Sequence, residues 1–74
     1  SSNQPSLFGN PAQEAVSQLL ATLAPGYSNP VEHLYNLSSS TPARARIIGK
    51  VLALAPTATR PQAIAALRAA GCLP

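Results

Sequence analysis

The chain has 74 residues, of which 46% are hydrophobic, 9% charged and only 4% aromatic, with one cysteine and a formal net charge of +3. That length holds one small domain whose single core supplies only about 3–5 kcal/mol, and a single cysteine excludes an internal disulfide. No stretch reaches the ~20 apolar residues of a membrane span, and so few charges leave uncharged surface to meet a partner or the rest of a larger protein.

Residues 1–9 place Ser, Asn, Gln, Pro and Gly around one apolar pair, Leu7-Phe8, which predicts an extended N-terminal tail. This start lacks the basic residues and apolar run of a secretion signal, so a cytoplasmic location is expected. Residues 10–74 then read as one all-α domain, a small four-helix bundle.

Four helix openings carry that expectation: Asn10-Pro11-Ala12-Gln13, Asn29-Pro30-Val31-Glu32, Thr41-Pro42-Ala43-Arg44 and Thr59-Arg60-Pro61-Gln62. In each, a side-chain oxygen can accept from an orphan amide of the first turn, and proline costs nothing where its missing N–H had no partner. Gln13, Glu32 and Gln62 stand where a side chain can reach back to the cap amide, which predicts three capping boxes.

The first helix is expected from Pro11 to about Leu23, with Val16, Leu19, Leu20 and Leu23 on one face and Ala24-Pro25-Gly26 ending it. The second, Pro30 to about Leu37, turns Val31, Leu34 and Tyr35 inward and Glu32, His33 and Asn36 outward, before a Ser38-Ser39-Ser40 linker. Helix three, Pro42 to about Ala55, carries Ile47, Ile48, Val51, Leu52 and Leu54, an arc broad enough to predict the central helix. Its narrow remaining face holds Arg46 and Lys50 one turn apart beside Gly49 and Ala53. Pro56 stops it. Helix four, Arg60 to about Ala70, buries Ile64 and Leu67 and uses Ala63, Ala66 and Ala70 for close approach; Gly71 supplies a left-handed cap, with Cys72 and Leu73 folding back.

Catalysis needs a nucleophile with its base, paired carboxylates or a metal cage. The chain has no aspartate, its two glutamates, Glu14 and Glu32, fall on different helices, and His33 and Cys72 lack the spacing partners of a zinc site. Cys72 reads as a small hydrophobe at a helix end. No glycine-rich loop follows a strand, so no nucleotide cofactor is implied. The expectation is a protein that is not an enzyme and carries no cofactor or metal.

The tail contributes one peptide, Gln4-Pro5-Ser6-Leu7-Phe8, with glutamine followed after two positions by Leu-Phe. Such a strand can seat Leu7 and Phe8 in an apolar pocket for roughly 1.5–3 kcal/mol each while Gln4 fixes register at the rim. The pattern resembles the peptide by which bacterial polymerases and repair proteins dock on the DNA sliding clamp. Asn29-Pro30-Val31-Glu32-His33-Leu34-Tyr35-Asn36-Leu37 extends the likeness, because residues 4–37 resemble the clamp-binding C-terminal tail of the MutS family of mismatch-repair ATPases. The resemblance implies a protein partner, a sliding clamp or another replication or repair factor, contacted through Gln4, Leu7 and Phe8. The plainer alternative is that Leu7 and Phe8 staple the tail onto the chain's own bundle.

Helix three, the Pro56-Thr57-Ala58 turn and helix four also have helix-turn-helix lengths. In that arrangement Arg60, Gln62 and Arg68 read base edges while Arg44, Arg46 and Lys50 hold phosphates. Solvated surface charge is the competing explanation. A third class, a cationic membrane-active helix over residues 43–55, conflicts with capping signals on every helix. The sequence therefore predicts a docking module of a larger bacterial protein of replication or repair, with direct nucleic-acid binding as the alternative.

Overall fold

The computed structural model describes residues 10–74, whose regular structure is four helices: α1 (Pro11–Leu23), α2 (Pro30–Leu37), α3 (Thr41–Leu54) and α4 (Arg60–Ala69). No strand occurs among the described residues, and the all-α bundle expected from the cap signals is the architecture observed.

Local chemistry accounts for each start. The Asn10 side chain accepts from the amides of Ala12 and Gln13 at 3.0 and 3.2 Å, and Asn29 accepts from Glu32 at 3.1 Å. Thr59 accepts from Gln62 at 3.3 Å while Gln62 accepts from the Thr59 amide at 2.9 Å, which closes a capping box. This is the one box formed among the described residues; Gln13 and Glu32 do not reach back, and the Asn caps hold their helices alone. At α3 the cap lies one residue earlier than the sequence predicts. Ser40 is extended (φ −91°, ψ 126°) and its Oγ accepts from Ala43 at 3.4 Å, so Thr41 is already helical and Pro42 takes the second position. Both placements spare proline an amide bond, and serine is at least as good a cap residue as threonine.

The helix ends are equally specific. Ala55 caps α3, and Ala58 donates to its carbonyl at 2.9 Å across the turn that Pro56 starts. At the end of α4, Gly71 adopts φ +82°, where the Gly71 amide reaches Arg68 at 3.0 Å and the Cys72 amide reaches Leu67 at 2.8 Å. That pair is a Schellman motif. As expected, Cys72 and Leu73 then fold back and are buried.

The core draws on every helix: Ala12, Ala15, Val16 and Leu19 from α1, Leu34 from α2, Ile47, Ile48 and Val51 from α3, and Ala63, Ala66 and Leu67 from α4. Alanine is so frequent because short helices must approach closely to exclude water in so thin an interior. The expected central role of helix three is shared, since α1 and α3 each pack on the other three helices while α2 and α4 do not pack on each other. Two side chains differ from expectation. Tyr35 is 46% and Leu54 is 49% exposed, while Leu34 and Val51 on the same helices are buried.

Candidate functional site

A groove flanked by an aromatic stack starts at the end of α1. The Ala24-Pro25-Gly26 turn is held by the amides of Gly26 and Tyr27 donating to the Leu23 carbonyl at 3.0 and 3.1 Å. This swings Tyr27 back toward α2, where its ring stacks on His33 with centroids 3.8 Å apart and planes inclined by 20°. His33, expected to face outward, is therefore half-buried. Tyr27 keeps 43% of its surface exposed.

Beside that stack lies a groove of about 250 Å³ between the end of α1, α2 and α3. Leu19, Leu23, Leu34 and Ile47 form its apolar floor, Leu37 stands at its edge 41% exposed, and Arg46 and Lys50 rise on the α3 side. No carboxylate lines it. The groove thus offers an aromatic shelf, aliphatic depth and two cations, an arrangement suited to an apolar side chain on a segment that carries negative charge.

The residues proposed to contact nucleic acid are distributed over three surfaces. Arg46 and Lys50 belong to the groove just described. Arg44, Arg60 and Arg68 share a second groove, between α3, α4 and the returning C-terminal residues. Gln62 lies on a third surface with Asn10, Ala65 and Ala69, and its carbonyl oxygen is engaged by the Thr59 amide. The helix three and helix four residues therefore do not form one reading face. Arg44 has a structural task as well, donating from Nε to the Ser38 carbonyl at 2.9 Å and so closing the C-terminal end of α2. Ser38, fully buried, donates its hydroxyl to the Tyr35 carbonyl at 2.6 Å.

Gln4, Leu7 and Phe8 lie outside the described residues. Glu14 and Glu32 are exposed on α1 and α2, and no group of three His, Cys, Asp or Glu among the described residues is arranged to hold a metal ion. Burial pushes the Cys72 thiol above its ordinary value, which suits a core residue. No described helix is long and apolar enough to cross a membrane.

Spacing along the chain does not foresee the Tyr27–His33 shelf, which depends on the turn that returns Tyr27 to α2. The groove's edge did carry a signal: a helix of two turns can bury little more than Leu34, so Tyr35 and Leu37 remain accessible. No family model, curated protein or solved structure matches this chain.

Proposed function

We propose that this chain is a non-catalytic, cytoplasmic protein-docking module of a larger bacterial protein of DNA replication or repair. The observation that supports this most is the groove beside Tyr27 and His33, where large apolar side chains stand exposed next to the cations of Arg46 and Lys50. Clusters of exposed aromatic and aliphatic groups around a concave surface are the usual anchors of protein association. The tail peptide, with Gln4, Leu7 and Phe8, supplies the setting through its likeness to clamp-binding peptides.

In this scheme two weak contacts cooperate. The tail peptide seats Leu7 and Phe8 in the partner, and the groove holds a second element of that partner, so the second contact forms at high effective concentration. Calorimetric titration of a purified bacterial sliding clamp tests it. The expected result is micromolar-scale binding that disappears in the Leu7→Ala/Phe8→Ala variant with unchanged melting, and that weakens about tenfold or more in Tyr27→Ala/Leu37→Ala. Absence of heat with the clamp, or a melting loss in the tail variant, contradicts the reading.

Direct nucleic-acid binding has one observation in its favour, the convergence of Arg44, Arg60 and Arg68 on a single groove. Against it stand the capping task of Gln62 and the separation of Arg46 and Lys50 from those arginines. If it holds, affinity for duplex DNA falls steeply with salt, by about three to five counterions' worth.

A further inference from the structure

We infer that the Arg44–Arg60–Arg68 groove is a second, separate docking site, and that its occupant is an acidic peptide segment with an apolar side chain among its carboxylates.

The argument begins with spacing. Arg60, Ile64 and Arg68 recur every four residues on α4, and Arg44 and Ile48 do so on α3, so each helix presents alternating guanidinium and isoleucine along one stripe. The two stripes meet in a groove of about 170 Å³, floored by Ile48, Ile64 and Leu73. Arg60 and Arg68 are two turns apart, which sets them about 12 Å from each other along the axis. The three guanidinium groups therefore ring a small apolar hollow.

Two of the three are held in place. Arg44 spends its Nε on the Ser38 carbonyl at 2.9 Å, and Arg68 spends its Nε on the Pro74 carbonyl at 3.3 Å. Among the described residues each keeps its two terminal nitrogens without a partner, the end of the guanidinium that grips a carboxylate with paired hydrogen bonds. Both glutamates of the chain lie elsewhere, on α1 and α2, so among the described residues no acidic side chain lines the groove, and the Pro74 oxygen there is already engaged by Arg68. Three guanidinium groups are thus gathered with no acidic side chain among them.

The floor decides between anionic ligands. A single nucleic-acid strand is held by stacking its bases on aromatic rings, and none lines this groove. A duplex needs phosphate contacts spread along a protruding helix, whereas here the cations rim a concave aliphatic hollow and the remaining cations of α3, Arg46 and Lys50, line a different groove. A hollow lined with isoleucine and leucine fits the side chain of a leucine or similar residue, with carboxylates on either side of it meeting the arginines.

The test uses a short fluorescein-labelled peptide alternating glutamate with leucine, titrated into the chain and followed by anisotropy, with methyl NMR of Ile48 and Ile64 as the structural readout. The expected result is saturable binding that shifts both isoleucine methyls and weakens about tenfold or more in Arg60→Glu/Arg68→Glu, while Gln18→Glu/Ala21→Glu, on the exposed face of α1 away from both grooves, stays within about twofold. Arg60→Gln/Arg68→Gln, which keeps polar side chains at both positions, shows the same loss if charge reversal perturbs the fold. Absence of binding overturns the inference. So does an equal loss in the α1 control variant, equal binding of a polyglutamate peptide without methyl shifts, or tighter binding of a DNA oligonucleotide through the same arginines.

Discussion

A single hydroxyl decides where α3 begins. Ser40 rather than Thr41 takes the cap because its extended backbone aims Oγ at the Ala43 amide, leaving Thr41 exposed at the first helical position. The two neighbours should respond differently to substitution. Ser40→Ala costs roughly 0.5–2 kcal/mol, at the lower end because the bond is long at 3.4 Å, whereas Thr41→Ala stays within about 0.5 kcal/mol of the parent. Chemical denaturation of the two variants checks this, and a larger loss at Thr41 would return the cap to the position the sequence suggests. Cys72 gives a second expectation, in pH. Its thiol is buried and held above the ordinary value, so the folded chain keeps a proton that the unfolded chain releases. The stability from burying the neutral thiol is complete below the unfolded value, about 8.5, and is lost as pH rises through the folded value. The urea midpoint should therefore fall between about pH 8 and pH 10 by more in the parent than in Cys72→Ala. Parallel curves for the two proteins would contradict this account of Cys72.

At the scale of the elements, the helices were legible because their signals are local. Caps at Asn10, Asn29 and Thr59, the prolines behind them and Gly71 each act through atoms a few residues away, and the structure places all of them as the sequence implies. Side-chain direction on α2 was not legible, because it depends on which neighbour arrives. Tyr35 has the right spacing to face inward, yet Leu34 fills the space that α1 and α3 leave, and the turn at Leu23 instead delivers Tyr27 to His33. The two grooves were invisible for the same reason: each joins residues of different helices, and the six candidates grouped by helix-turn-helix spacing fall into three surfaces. α3 also carries an element that packing does not require. Gly49 lies in the helix interior, exposed, and an added Cβ there meets no atom within 4 Å. Gly49→Ala should stabilise the chain by about 0.5–1 kcal/mol, visible as a Tm rise of several degrees, on the order of 4–8 °C per kcal/mol for a domain of this size. A fall in Tm would show that the open face of α3 is occupied.

At the scale of the whole molecule, an interior whose commonest residue is alanine leaves little reserve. Leu67, with no exposed surface, is among the few bulky side chains fully enclosed, and its truncation costs about 2–5 kcal/mol, comparable to the ~3–5 kcal/mol that so small a core supplies. The exposed side chains of the Tyr27 groove stand outside that account. They are large, apolar and accessible, and the recognition role assigned to them requires that the fold does not depend on them. Thermal unfolding of the Tyr27→Ala/Leu37→Ala variant beside Leu67→Ala tests this most directly. The account predicts a cooperative transition within roughly 10 °C of the parent for the groove variant and none for Leu67→Ala. A groove variant that is as unfolded as Leu67→Ala would contradict it, because Tyr27 and Leu37 would then belong to the core and not to a docking surface.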